Sequence, residues 1–439
     1  MLIARNIPEK VTARIALPAS KSVSNRALLL QALCPQQRYA IGNLAVCDDT
    51  DHMRQGIDAK RAGASLIDIG ATGTAMRFLT AYLAITEGET VITGSERMQQ
   101  RPIGTLVKAL RKLGADIAYI NKEGYPPLRI CGKKLQGGEL EIEAGISSQY
   151  ISALLMIAPR LADGLTLHLR GNIASRTYIE LTLDLMRKYG ATAEWTDEHT
   201  IRVSPGEYED IALTVEADWS AASYWYELAA IAAHLGHEVD IALPALTPDS
   251  HQGDCVVAQL FEPLGVKTEY TDEGARLFGG DFQLSSLTSA PIGVDLRFNF
   301  PLEKDFTHCP DIAQTLAVTC CLLGIPYTFK GVHSLRIKET DRVAALIAEL
   351  HKLGYVLRAE GDECLLWDGT RCEAEKRPVI ATYDDHRMAM AFAPAALCCE
   401  SLTIEHPEVV TKSYPTFWED LNKLNDNDNE NEDRANPSH

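Results

Sequence analysis

The feature that most narrows what this chain can fold into is a pair of helices that returns six times. Apolar helical segments open at Ser22, Thr72, Ser147, Ser220, Asp311 and Asp385. Each is followed about thirty residues later by a second helix, at Asp49, Arg101 and near Tyr178, Gly253, Glu339 and Tyr414. The second helices stop at Gly63, Gly114, Gly190, Gly265, Gly354 and Asn425, residues that tolerate a left-handed helix end. The first helix of each pair opens on Ser, Thr or Asp, as an N-cap should. It is also apolar around its circumference, as in Ala27–Leu30, Ala153–Met156 and Leu228–Ala233, and such helices are buried. The second is amphipathic: Leu106, Leu110 and Leu113 oppose Lys108, Arg111 and Lys112. Strand-like runs at Val11–Leu17, Tyr39–Ile41 and Thr90–Thr93 lie around them. The expectation is an α+β chain of two domains, each with three units, pseudo-threefold, with helices inside and sheets outside. The first unit is shortened, because only six residues separate Gly63 from Gly70, where other units hold a hairpin.

Composition bounds the partners. With 439 residues, 46% hydrophobic and 23% charged, the chain is an ordinary globular protein of two or three domains. A net charge of −18 argues against general binding to nucleic acid or a membrane surface. Part of that charge lies in Asn425–His439, an acidic tail expected to be disordered. The chain has no run of membrane-span length and no apolar stretch of signal-peptide type at its start. Its eleven cysteines include Cys320-Cys321 and Cys398-Cys399 but no CxxC and no zinc spacing, so buried free thiols are expected. These features predict a cytoplasmic monomer that handles small molecules and needs neither metal nor cofactor.

The chemistry gathers at helix starts. In Pro18–Leu30 a strand-like run gives way to Lys21, Ser22, Ser24, Asn25 and Arg26, then to apolar residues. Free N–H groups and the positive end of a helix dipole suit an anion there, and Arg26 can grip a carboxylate or phosphate at two points. Without the glycines of a Walker loop, a nucleoside triphosphate is not the expected guest. Similar starts follow: Gly73 to Arg77, Arg101 before Pro102, Ser147-Ser148-Gln149, Ser175 and Tyr178, Asp311, Lys338 to Arg342, Asp385-His386-Arg387 and Lys412. Lys21, Arg26, Arg77, Arg101, Lys338, Arg342, Arg387 and Lys412 are eight cations in an acidic chain. They point to several phosphates and carboxylates on more than one small molecule. Asp311, Glu339 and His386 can move protons among them. Nothing in the sequence has the context of an acyl-transfer nucleophile.

Taken in order, Lys21-Ser-x-Ser-Asn-Arg26, Gly73 to Arg77, Arg101 to Gly104, Ser147 to Gln149, Lys338 to Arg342, Asp385 to Met390 and Lys412 to Pro415 resemble the 3-phosphoshikimate 1-carboxyvinyltransferase (EPSP synthase) family. The resemblance implies an inside-out α/β fold with residues 1–18 and 219–424 as a discontinuous catalytic, phosphoenolpyruvate-binding domain. Residues 19–218 would be the shikimate 3-phosphate half. It implies transfer of the enolpyruvyl group to the 5-hydroxyl of shikimate 3-phosphate with release of phosphate. Implied contacts of shikimate 3-phosphate are Lys21, Ser22, Arg26, Ser147, Ser148, Gln149, Ser175, Tyr178, Asp311, Ser334 and Lys338. Those of phosphoenolpyruvate are Lys21, Gly73, Arg101, Gln149, Arg342, Arg387 and Lys412. Lys21, Asp311, Glu339 and His386 are the implied catalytic set. The sequence departs from the family pattern at Ala71, Thr72, Phe78 and Ser334 and in its short first unit. The sister UDP-N-acetylglucosamine enolpyruvyl transferases are disfavoured by Arg26 and the Ser147-Ser148-Gln149 set. A non-catalytic metabolite-binding protein is disfavoured by Lys21, Asp311, Glu339 and His386 standing together.

Overall fold

The computed structural model describes residues 1–4, 9–145, 147–173, 175–279 and 302–424, so the acidic tail and the expected helix end at Asn425 lie outside the described residues. The chain divides into two compact units. One comprises Met1–Pro18, Ala217–Ser250 and Asp254–His439, and the other Ala19–Glu216 with His251–Gly253.

In the Ala19–Glu216 unit the helices are α1 (Lys21–Leu33), α2 (Asp48–Arg61), α3 (Gly73–Ile85), α4 (Glu96–Gln99), α5 (Gly104–Lys112), α6 (Ser148–Ile157) and α7 (Arg176–Lys188). The apolar helices α1, α3 and α6 touch one another. Their side chains, among them Leu29, Leu30, Phe78, Leu79, Leu154 and Leu155, are fully buried and form the core. In the other unit the helices are α8 (Trp219–His234), α9 (Val257–Phe261), α10 (Ala313–Leu322), α11 (Arg342–Lys352) and α12 (His386–Phe392). Here α8, α10 and α12 make the equivalent mutual contacts around a separate core.

Each unit carries sheets built on one plan. Leu66–Asp68 runs parallel to Gly88–Thr93, which pairs antiparallel with Leu128–Gly132 and so with Asp116–Tyr119. Gly138–Glu143, Leu165–Arg170, Thr200–Val203 and Ala193–Asp197 repeat that order. Lys10–Arg14, Glu238–Pro244, Gly274–Gly279 and Val266–Thr271 repeat it again, as do Leu302–Asp305, Tyr327–Lys330, Cys364–Trp367 and Arg358–Glu360. In the fifth sheet Val379–Ile380 runs parallel to Ser401–Ile404, and the third strand is Leu2–Ala4 from the chain start. Parallel strands need a crossover helix, and in four of these pairs a core helix supplies it. In the sheet with Lys10–Arg14, residues 15–218 intervene before α8.

Several expectations are corrected. Tyr39–Ile41 is not a strand: the Arg38 and Tyr39 N–H groups bind the Asp210 carboxylate, and pairing is limited to a Gly42–Thr214 bridge. The strand expected over Val11–Leu17 spans Lys10–Arg14. Arg101 and Pro102 precede α5 rather than open it, and Lys338 and Glu339 precede α11, whose N-cap is Asp341. Asp218, not Ser220, caps α8, because its Oδ1 accepts the Ser220 and Ala221 N–H groups. Asp311 lies in a 3₁₀ turn, Pro310–Ile312, before α10. The partner of α8 begins as a 3₁₀ turn, Gly253–Val256, and the last helix begins at 417, not near Tyr414. Cys320 and Cys321 are buried free thiols, but Cys398 is exposed and Cys399 half-exposed where a 3₁₀ helix ends.

Candidate functional site

The parallel pairs explain why the polar helix starts recur. Both strands of a parallel pair end at the same edge of the sheet, so the two loops that leave them are neighbours. Loops 69–72 and 94–103 follow one such pair and carry Gly73 and Arg101; the Ser95 N–H donates to Gly70 O at 2.8 Å. The next pair delivers Ser147 and Ser175, with Ala144 N–H bonded to Arg170 O at 2.9 Å. In the other unit, one pair delivers Asp311 and, on the companion loop, Ser334, Lys338 and Glu339. A further pair delivers Asp385-His386 and Lys412.

In the Ala19–Glu216 unit Lys21 opens α1, and its Nζ lies 3.0 Å from Asp49 Oδ2. Arg26, one turn on, is buried among neutral acceptors. Nε donates to Thr182 Oγ1 (2.7 Å), Nη1 to Ser22 O (2.9 Å), and Nη2 to Ser152 Oγ and Tyr178 O (both 3.3 Å). The Phe78 and Tyr178 rings flank the guanidinium at 5.4 and 5.8 Å. Burial pulls its pKa down to about 10. The charge is thus held by neutral oxygens alone, with no ion pair among the described residues. At the start of α3, a Cβ on Gly73 would sit 2.5 Å from Arg77 Nη1 and 2.7 Å from Arg101 Nη1, so only glycine admits both guanidiniums. Arg77 Nη1 donates to Gly73 O at 2.8 Å. Gln149 Nε2 donates to Thr74 Oγ1 at 3.1 Å, which ties the starts of α3 and α6 together. The Thr72 hydroxyl does not cap α3; it bonds His52 Nδ1 at 3.1 Å. Ser147 caps α6 through Gln149 N–H, and Ser148 is nearly buried beside it. Ser175 adopts φ 53° at the head of α7, and its carbonyl accepts the Tyr178 N–H.

In the other unit Arg342 is the centre of a charge lattice. Its Nε pairs with Asp385 Oδ2 at 2.7 Å, Nη1 with Asp311 Oδ1 at 3.1 Å and Nη2 with Glu339 Oε2 at 3.0 Å. Lys338 Nζ reaches Asp311 Oδ1 (3.3 Å), Arg387 Nη2 reaches Asp311 Oδ2 (3.1 Å), and Lys412 Nζ reaches Glu339 Oε1 (2.6 Å). Four cations thus interleave with three carboxylates. Burial works against the Arg342 charge, but Asp385, Glu339 and Asp311 outweigh it and hold the guanidinium above its usual range. Burial pulls the Lys338 ammonium the other way, downward, against Asp311. His386 is buried at the first position of α12, with Nδ1 3.8 Å from Asp385 Oδ1. Ser334 lies half-buried in the 3₁₀ helix His333–Ile337.

Of the cations read from the sequence, Lys21 and the four of the Arg342 lattice have carboxylate partners. Asp49, Asp385 as a ligand of Arg342, and the Ser152–Thr182 pair beneath Arg26 escaped sequence reasoning. Asp49 reads as one of several acids at a helix start, and Ser152 and Thr182 as core residues. Among the described residues no group of three or more His, Cys, Asp or Glu side chains could hold a metal ion, and no helix is long and apolar enough to cross a membrane.

Residues 5–64 and 58–421 match the family described as EPSP synthase (3-phosphoshikimate 1-carboxyvinyltransferase). A 3-phosphoshikimate 1-carboxyvinyltransferase of Bacteroides fragilis is 52% identical over 416 residues, 95% of this chain and 96% of its own. One from Photobacterium profundum is 36% identical over 440 residues, 94% of this chain and 97% of its own. The structure of EPSP synthase from Acinetobacter baumannii superposes with a TM-score of 0.71 at 21% identity, covering 95% of this chain and 97% of that one, a likeness of fold with mixed α/β content. On this evidence the chain belongs to the EPSP synthase family.

Proposed function

We propose that this chain transfers the enolpyruvyl group of phosphoenolpyruvate to the 5-hydroxyl of shikimate 3-phosphate and releases phosphate, a step of the shikimate pathway to aromatic amino acids. The observation that carries the mechanism is the double bridge at Arg342, whose guanidinium binds Asp311 and Glu339 through separate nitrogens. Two carboxylates with different cation partners, Lys338 and Arg387 against Lys412, suit two different proton transfers.

In the addition step the 5-hydroxyl oxygen bonds to C2 of phosphoenolpyruvate, its proton passes to Asp311, and C3 gains a proton through Glu339. Lys412, 2.6 Å from Glu339 Oε1, is the source of that second proton. Lys338, Arg342 and Arg387 all pair with the Asp311 carboxylate. The anionic groups of the substrates compete for those cations, which leaves the carboxylate freer to take the hydroxyl proton when both are bound. In the elimination step C3 returns its proton to Glu339, the C2–O bond to phosphate breaks with its electron pair going to oxygen, and phosphate leaves carrying the proton that Asp311 took, with its remaining charge met by cations.

By resemblance, Arg26 and Ser22 hold the shikimate carboxylate side, and Ser147, Ser148, Ser175 and Lys338 hold the 3-phosphate. Gln149, Tyr178 and Ser334 lie along the ring. Lys21, Gly73, Arg101 and Lys412 take the phosphate of phosphoenolpyruvate, and Arg342 and Arg387 its carboxylate, while Lys21 and His386 assist the proton transfers of Asp311 and Glu339. The neutral cradle of Arg26 and the two guanidiniums over Gly73 support these assignments. The same reading takes the fold as six repeated units, three per domain, inside-out, with residues 19–218 as the shikimate 3-phosphate half. The common strand order and the two triplets of buried helices support it.

The test is to mix the protein with shikimate 3-phosphate and phosphoenolpyruvate and measure phosphate. Release that requires both substrates is expected. Release with phosphoenolpyruvate alone, or none at all, would refute the proposal.

A further inference from the structure

Arg387 is anchored from a side that the roles above leave unused. Asp254 stands in the 3₁₀ turn Gly253–Val256, on the loop that follows Glu238–Pro244, and is 2% exposed. Its Oδ2 accepts the hydroxyl proton of Ser220, and its Oδ1 is buried with no hydrogen-bond partner among the described residues. Ser220 Oγ in turn accepts from Arg387 Nη2 at 3.3 Å. That same Nη2 lies 3.1 Å from Asp311 Oδ2. One guanidinium nitrogen is therefore contested by Asp311 directly and by Asp254 through a single hydroxyl. Tyr224, buried one turn along α8, steadies the other end, its OH 3.4 Å from Arg387 Nη1.

We propose that Asp254 is a positioning residue for Arg387: its negative charge, passed on through Ser220, makes Asp311 share the guanidinium rather than hold it alone, and so keeps it available to the carboxylate of phosphoenolpyruvate. The inference rests on the role given to Arg387 above.

The direction of the Ser220 hydroxyl is the reason. An ionised Asp254 can only accept, so Ser220 must donate to it and turn a lone pair toward Arg387. A neutral Asp254 no longer attracts the guanidinium or fixes the hydroxyl, and Asp311 then holds the guanidinium more tightly than it does in the structure. The charged and titratable groups around Asp254 are Asp218 at the head of α8, Cys309 and Asp311 before α10, and Arg387 on α12. Burial, then the Asp311 charge, push the Asp254 carboxyl up to about 7, with Arg387 and Ser220 pulling down. The positioning is therefore complete above neutral pH and fades below it.

The experiment compares Asp254→Asn with the unaltered enzyme at pH 8 and pH 6. Using the ratio of their KM values for phosphoenolpyruvate cancels the substrate's own ionisation. The ratio should be about tenfold at pH 8, the factor carried by one charge-assisted hydrogen bond, and approach one at pH 6. The kcat should fall as well, because a tighter Arg387–Asp311 pair hampers the base, so the KM ratio alone is the criterion. Ser220→Ala should give a similar rise at pH 8, and Asp254→Asn should add little on top of it. A ratio equal at the two pH values, a ratio near one at pH 8, or additive effects of the two substitutions would each overturn the proposal. If Asp254→Asn does not fold, Ser220→Ala carries the same pH comparison, and a flat ratio overturns it. If the unaltered enzyme releases no phosphate, the catalytic reading fails on its own. The ratios are then read from the stabilisation of each protein by phosphoenolpyruvate, with the same criteria.

Discussion

Glu227 sits within the apolar helix α8, fully buried, and neither carboxylate oxygen accepts a hydrogen bond among the described residues. Thr319 beside it eases the charge only slightly, because its hydroxyl proton goes to the Thr315 carbonyl at 2.7 Å. Burial therefore raises the Glu227 pKa well above the ordinary value. The folded protein keeps a proton that the unfolded chain, with an ordinary Glu pKa of about 4.3, gives up. The folded state binds more protons between the unfolded and folded pKa, so stability is full below the unfolded pKa and falls as pH rises toward the folded one. The slope for one group is about 1.4 kcal/mol per pH unit, or about 2.7 kcal/mol between pH 5.5 and 7.5 while the pH stays below the folded pKa. Glu227→Gln keeps the size and removes the titration. Urea unfolding of both proteins at pH 5.5, 6.5 and 7.5 isolates the effect, since all other groups are common to them. The stability of the unaltered protein relative to Glu227→Gln should drop by about 1.4 kcal/mol for each pH unit gained. A difference that does not change with pH would refute the reasoning, because it would mean that Glu227 is ionised in the fold.

Three further outcomes are expected. Asp311→Asn should lower kcat by roughly 10²–10⁴ and leave binding of shikimate 3-phosphate, measured by calorimetry, within a few-fold; turnover close to that of the unaltered enzyme would remove Asp311 as the base. Gly73→Ala should push the Arg77 and Arg101 guanidiniums aside, raising KM for phosphoenolpyruvate about tenfold, the worth of one charged hydrogen bond, with little change in Tm because only side-chain ends must move. An unchanged KM would mean that neither guanidinium touches that substrate. Arg26→Lys keeps the charge but cannot serve Thr182, Ser22, Ser152 and Tyr178 from one plane, so KM for shikimate 3-phosphate should rise about 10- to 100-fold; full activity in that variant would count against the cradle.

Local rules made much of this protein legible from its sequence. The apolar helices α1, α3, α6, α8, α10 and α12 could only be buried, and the second helix that follows each about thirty residues on pointed to a repeated unit. Polar residues at helix starts and in the loops before them made Lys21, Arg26, Gly73, Arg101, Lys338, Arg342, Arg387 and Lys412 the candidates for binding anions. Periodicity could not say which strands pair in parallel, and that pairing puts the loops carrying Asp311 and Lys338, or Asp385 and Lys412, at one sheet edge. Nor could it reveal partners distant in sequence. Asp49 for Lys21, Thr182 for Arg26 and Asp254 for the neighbour of Arg387 depend on packing between helices and turns far apart in the chain. Helix spacing is written into consecutive residues, so the sequence determines it alone. Neutralisation of a buried charge depends on whichever acid or hydroxyl the fold brings within about 3 Å, and only the tertiary structure decides that.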